Sequence, residues 1–189
     1  QIHGLGPVIP AGGPPWWQDR RDELQRIAHE RGSAYVYHRA SSELAARQLL
    51  AIRGVDRIFY AMKANPHPEL LKTFAGLGLS FECVSRGECE HVMKVVPGID
   101  PSRILFTPNF APRSEYEWAL EQGVNLTIDN VYALREWGEL FRGRDVLIRI
   151  DTGFGRGHHD HVRTAGVHSK FGVPLFEMDE VERLVNLVG

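Results

Sequence analysis

The sequence has 189 residues, 43% of them apolar and 24% charged, with a formal net charge of −2. That length buries the core of one ordinary domain, and the composition excludes intrinsic disorder. A near-neutral balance without any Lys/Arg block argues against a nucleic-acid partner, and no apolar run is long enough to span a bilayer.

Residues 1–15 hold four glycines, four prolines and no charged side chain, so an irregular lead-in is expected there, with the folded domain running from 16 to 189. Asp19 predicts a helix cap, with Leu24, Ile27 and Ala28 facing inward and an end near Gly32. Tyr35-Val36-Tyr37 predicts a short strand. Ser41 or Ser42 then opens a helix through Leu44, Ala45, Leu49 and Leu50, closed by Gly54.

Strands are predicted at 57–62, 79–84, 103–106, 125–128 and 145–150, alternating with helices at about 67–75, 86–95, 114–122 and 130–141. Ser85 with Glu88, and Ser114 with Glu117, have the spacing of capping boxes, in which each side chain satisfies an orphan N–H. Pro68 suits a first helical turn and Gly123 the position after a helix end. Leu134, Trp137, Leu140 and Phe141 share one face of the 130–141 helix.

Lys63, Ser85, Thr107, Asp129 and Asp151 fall at or just past the predicted strand ends, each 22 residues after the last. Strand-helix units of constant length are what a parallel sheet rolling into a barrel requires, because each crossover spans the same path. The expected fold is therefore α/β, an incomplete (β/α)8 TIM-like barrel with about five of the eight units, its active face at the strands' carboxyl ends. An open doubly wound sheet is the alternative. Gly76-Leu77-Gly78 precedes a strand instead of following one, which argues against a dinucleotide fold. A sixth strand is expected to begin at Leu187-Val188-Gly189, and the polypeptide is expected to continue in both directions beyond this piece.

Phe59-Tyr60-Ala61-Met62-Lys63-Ala64-Asn65-Pro66 is the strongest local signal: an apolar strand ending in a lysine, with Asn and Pro turning the chain. Burial at the inner end of a strand would favour the uncharged amine that bonds a carbonyl carbon. The plain alternative is a lysine on the rim with its head in water. The segment from Asp151 to about Pro174 is long and rich in Gly and His, which favours a functional loop. His158, His159, Asp160 and His161 are adjacent, a poor arrangement for tetrahedral ligation, so no metal is expected. Cys83 and Cys89, which form no disulfide framework and no CxxC zinc pair, are expected as small buried hydrophobes. Trp118 and Trp137 are expected in the core. With no signal peptide, a reduced cytoplasmic compartment is expected.

Tyr60-Ala61-Met62-Lys63-Ala64-Asn65 resembles the cofactor-lysine motif of the alanine-racemase-like enzymes that use pyridoxal 5'-phosphate (PLP), in their decarboxylase branch. Phe81-Glu82-Cys83-Val84-Ser85-Arg86-Gly87-Glu88 is similar to that branch's second-strand motif, with Glu82 where Asp is usual. Leu147-Ile148-Arg149-Ile150 resembles the strand that sets an arginine near the cofactor, although Asp151-Thr152 departs from the usual Asn-Pro. Gly153-Phe154-Gly155-Arg156-Gly157-His158 and His168-Ser169-Lys170-Phe171-Gly172 look most like diaminopimelate decarboxylases.

The resemblance implies that Lys63 is the catalytic residue and carries PLP, with Glu82 and Arg149 as cofactor-binding helpers. It implies decarboxylation of meso-diaminopimelate to lysine, the cofactor ring taking up the electrons as the carboxylate leaves. Ornithine, arginine or a carboxylated polyamine is the alternative substrate, and a non-catalytic homologue used for interaction is a third reading. Partners are then a small-molecule amino acid and a second copy in a homodimer, with Lys170 at the site or the subunit interface. The family's ring-stacking histidine, phosphate loop and β domain would follow Gly189, so these 189 residues alone are expected to turn over little substrate. The resemblance also leaves room for an upstream domain, such as the aspartate kinase fused to some of these decarboxylases.

Overall fold

A computed structural model of the chain describes residues 14–153 and 171–188. Three helices come first: α1 (Trp16–Asp19), α2 (Arg21–Arg31) and α3 (Arg39–Leu50). Strands and helices then alternate as β1 (Phe59–Ala61), α4 (Pro68–Leu77), β2 (Ser80–Cys83), α5 (Arg86–Val95), β3 (Ile104–Phe106), α6 (Arg113–Gln122), β4 (Asn125–Ile128) and α7 (Val131–Trp137). The described chain closes with β5 (Leu147–Ile148), β6 (Ile150–Asp151), β7 (Val173–Pro174) and α8 (Met178–Val188).

The five-stranded sheet runs in the order β1-β2-β3-β4-β5 with every pair parallel. A doubly wound sheet reverses direction at a switch point. This one never does, so it is the wall of a barrel laid down one strand at a time.

The sixth strand is not where the sequence pattern put it. Arg149 donates its N–H to the Ile128 carbonyl at 2.9 Å and accepts from the Val173 N–H at 2.7 Å. Segment 147–151 thereby joins β4 on one side and β7 on the other, and β6 pairs in parallel with β7. Residues 187–188 instead end α8, whose Val181 and Leu184 are buried at helical spacing and whose first turn carries Asp179 and Glu180 at the positive end of the helix dipole.

Close packing at the turn into β7 demands a glycine. Gly172 has φ +83°, and a Cβ there would lie 3.0 Å from the Asp151 nitrogen and 3.1 Å from the Arg149 oxygen. Gly172→Ala is expected to destabilise the fold by at least about 1–2 kcal/mol from the left-handed backbone alone, with the backbone contacts adding to it. A lowered melting temperature checks this; an unchanged one would show that the turn relaxes freely.

One face of the sheet carries the core. Phe81, Cys83, Ile104, Phe106 and Ile128 are fully buried, alternating along their strands as a period of two requires. Tyr60 joins them through ring contacts with Phe74 and Phe81, and Phe106 meets Trp118 edge-on. Both thiols are packing groups, as expected: the adjacent Cys89 thiol, together with burial, pushes Cys83 far above its ordinary range. The other face carries Glu82 and Leu105.

Local signals are met unevenly. Ser85 caps α5 by accepting from the Glu88 N–H at 3.3 Å, while the Glu88 carboxylate reaches back to the Val84 N–H at 2.8 Å. Pro68 occupies the first turn of α4, and Gly123, at φ 71°, ends α6. Ser114 caps nothing: α6 starts at Arg113 after Pro112, and Arg113 takes Glu117 in a 2.7 Å ion pair. Asp19 lies within α1, and α2 starts without a side-chain cap. No residue of α2 is buried, and Ala28 is exposed. Helix α3 begins at Arg39, ahead of Ser41 and Ser42, and Ala51 rather than Gly54 ends it. Tyr35-Val36-Tyr37 is no strand; Tyr35 is 91% exposed. Strand propensity reflects packing against a neighbouring strand, and among the described residues this segment pairs with none.

Candidate active site

The period-22 residues gather at the carboxyl end of the sheet. Lys63 lies in a single 3-10 turn, Met62–Ala64, directly after β1. Register aligns Ala61 with Glu82, so the two strands deliver the lysine and the acid side by side. Lys63 Nζ stands 3.7 Å from Glu82 Oε2.

Expected burial of Lys63 is not observed: its side chain is 57% exposed, against 18% for Glu82. Among the described residues β1 is the edge strand of the five-stranded sheet, and no further strand covers that flank of the lysine. Lys63 thus faces a carboxylate across 3.7 Å and stands open to solvent instead of lying in a dry pocket. Glu82 is itself anchored, because the Thr107 hydroxyl donates to its other oxygen, Oε1.

Arg149 sits four strands away, between β5 and β6. One guanidinium nitrogen donates to Asn109 Oδ1 at 3.3 Å, and the group lies 4.8 Å from the centre of the Phe171 ring. Such a fixed, permanently charged fork suits an anion. Lys63 and Glu82 are brought together directly; Arg149 shares their end of the sheet without touching either through any described bond.

Asp129, another period-22 residue, is structural. It is 1% exposed and accepts three hydrogen bonds: from Tyr116 Oη at 3.1 Å, Asn130 Nδ2 at 2.8 Å and the Phe110 N–H at 3.0 Å. Asp151 is buried and accepts from the Gly153 N–H at 2.9 Å. Thr107, by contrast, bonds Glu82 through its hydroxyl, a contact that spacing alone did not single out although the period had set it in the same ring.

A cavity of about 460 Å³ lies between α2, residues 34–37 and α4, lined by Arg31, Tyr37, Asn65 and His67 among others. Lys63, Glu82 and Arg149 do not line it, so it does not mark this site. The histidine run 158–161 and Lys170 lie outside the described residues. Among the described residues, no group of His, Cys, Asp and Glu is placed to hold a metal, and no helix is long and apolar enough to cross a membrane.

Comparison with known proteins gives this geometry a context. The family model described as "Pyridoxal-dependent decarboxylase, pyridoxal binding domain" matches residues 39–188. The diaminopimelate decarboxylase of Methanothermobacter thermautotrophicus is 34% identical over 134 residues, 70% of this chain and 31% of that protein. Its counterpart from Deinococcus radiodurans is 32% identical over 154 residues, 81% of this chain and 39% of that protein. The ornithine decarboxylase of Neurospora crassa is 33% identical over 132 residues, 69% of this chain and 26% of that one. A crystal structure of a diaminopimelate decarboxylase superposes with a TM-score of 0.74 at 25% identity, covering 88% of this chain and 40% of that one. The Helicobacter pylori diaminopimelate decarboxylase complexed with L-lysine gives 0.69 at 26% identity, covering 86% and 41%. The matched part is thus about a third of the length of these relatives.

Proposed function

The chain belongs to the pyridoxal-dependent decarboxylases, and from that premise we propose that it carries PLP on Lys63 and serves the decarboxylation of meso-diaminopimelate to lysine. The observation that carries the reading is the Lys63 amine held 3.7 Å from the Glu82 carboxylate at the carboxyl end of a sequentially ordered parallel sheet. Diaminopimelate as substrate is supported by the relatives that act on it and by the likeness of residues 153–158 and 168–172 to those enzymes.

The residues present fit the cofactor. Lys63 offers a primary amine that is reachable from solvent, Glu82 a carboxylate beside it, and Arg149 a cation for an anionic group. When bound, PLP supplies an electron sink for the pair left behind as a carboxylate departs as CO2. The chain's own contribution is geometric. The parallel ladder between β1 and β2 fixes the spacing of amine and acid, Thr107 fixes the acid, and Asn109 fixes the guanidinium. The working assembly in this reading is a cytoplasmic homodimer acting on a small amino acid.

Its test is CO2 release by the full-length protein with PLP, comparing meso-diaminopimelate, ornithine, arginine and lysine. A kcat/KM for meso-diaminopimelate higher by about a hundredfold or more is expected, because an active site built around a substrate's polar groups rejects analogues lacking them. Preference for ornithine would overturn the substrate assignment, and release from none of the four would overturn the decarboxylase reading.

A further inference from the structure

Building on that reading of Lys63, we propose that Thr107 is a positioning residue, which orients the Glu82 carboxylate so that one oxygen is committed to Lys63. The arrangement spans three adjacent strands. Glu82 lies in β2, Thr107 is the first residue past β3, and Lys63 follows β1. Register pairs Glu82 with Leu105 and Cys83 with Phe106. The ladder then continues one step beyond the strand: the Thr107 N–H donates to the Cys83 carbonyl at 2.8 Å.

Thr107 is therefore held by its backbone before its side chain does anything. Its branched Cβ limits the rotamers open to the hydroxyl, which donates to Glu82 Oε1. A carboxylate bonded through one oxygen can no longer swing freely about its last torsion. Oε2 is left on the side facing Lys63, 3.7 Å away.

The pinning matters because Lys63 is 57% exposed. Packing does not locate an exposed lysine head, and an isolated surface pair holds it weakly. A carboxylate already fixed from behind gives the amine one preferred place.

The test uses Thr107→Val, which keeps the shape and removes the hydroxyl, and Thr107→Ser, which keeps the hydroxyl, in the full-length protein. Two readouts should move in opposite directions. Acetylation of Lys63 by limiting acetic anhydride in cofactor-free protein, measured against Lys94, should rise about two- to fivefold in Thr107→Val as the amine is released from its partner. Capture of PLP at Lys63, trapped by borohydride, should slow about five- to tenfold as the nitrogen loses its place.

Thr107→Ser should restore both, and in a Glu82→Gln background Thr107→Val should add nothing, since the two residues act as one unit. Both readouts unchanged, both moving together, or no rescue by serine would overturn the proposal. Failure of the wild-type protein to take PLP at Lys63 would overturn the cofactor reading instead, and the acetylation arm would still decide whether Thr107 positions Glu82.

Discussion

Replacing Lys63 with alanine is expected to lower decarboxylation by the full-length protein at least about a thousandfold, or about 4 kcal/mol of barrier, with the melting temperature almost unmoved. The two halves of that result have different sources. Activity is lost because, among side chains, only lysine carries the primary amine that condenses with an aldehyde to a C=N bond, and this chain has few candidates. It contains four lysines: Lys63, Lys72, Lys94 and Lys170. Lys72 is on a helix surface, 3.0 Å from Glu69, and Lys94 is exposed near the end of α5. Of the three described lysines only Lys63 follows a strand at the active end of the sheet. Stability is kept because the side chain is 57% exposed and its pair with Glu82 is the kind worth about 0–1 kcal/mol. Borohydride reduction of the wild type with PLP, followed by peptide mapping, should place the label on the Lys63 peptide. A label on Lys72, Lys94 or Lys170, or a Lys63→Ala protein that keeps its activity, would remove the basis of the site assignment. Lys63→Arg is expected to fail as completely as alanine, because a guanidinium keeps the charge and lacks the nucleophilic amine.

Much of this arrangement was legible along the chain, and the limits of that legibility are physical. Helix α5 was predicted at its observed bounds, because Ser85 and Glu88 satisfy orphan backbone groups locally and need no tertiary partner. The same spacing at Ser114 and Glu117 misled, since Arg113 competes for the glutamate and Pro112 fixes the chain one residue earlier. Period-22 spacing located Lys63, Thr107 and Asp129 at strand ends, yet could not say which of them face one another. That depends on register and side-chain contacts: the alignment of Ala61 with Glu82 and of Glu82 with Leu105 brings Thr107 against Glu82, while Asp129 is taken up by Tyr116, Asn130 and Phe110. Whether Lys63 is buried or on the rim stayed open along the chain for a related reason: the sequence marks a strand end, and whether that strand is at an edge is a property of the whole sheet. Strand β7 escaped notice because its two residues follow a long Gly- and His-rich segment and carry no alternation of their own.

Asp129→Ala is expected to be the most destabilising of the simple substitutions at this end of the sheet, costing about 3 kcal/mol or more of a total that is typically about 5–15 kcal/mol. The carboxylate is 1% exposed and receives three donors, so its removal leaves the Tyr116 hydroxyl, the Asn130 amide and the Phe110 N–H without it. Phe110 makes the loss reach further. It has φ 52°, a conformation few side chains adopt, and its bond to Asp129 holds that strained residue beside Asn109, the acceptor for Arg149. Asp129→Asn should cost less, since one carbonyl oxygen can still accept while the amide faces a donor. Denaturant unfolding should rank alanine below asparagine and asparagine below wild type, and equal stability for all three would show the buried carboxylate to be dispensable.

A pH arm isolates one partner. Burial first, and then the Asp129 charge and hydrogen bond, push the Tyr116 phenol well above its ordinary value. A proton held more tightly in the folded state contributes stability that is intact below pH about 10 and is lost as pH rises from there through the folded-state value. Tyr116→Phe should therefore flatten the alkaline fall in stability without abolishing it, because burial also raises Tyr60. An alkaline limb identical in the mutant and the wild type would mean that the Tyr116–Asp129 bond does not hold this end of the sheet together. The loop that presents Asn109 to Arg149 would then have to be fixed by Phe110's bond to Asp129 alone.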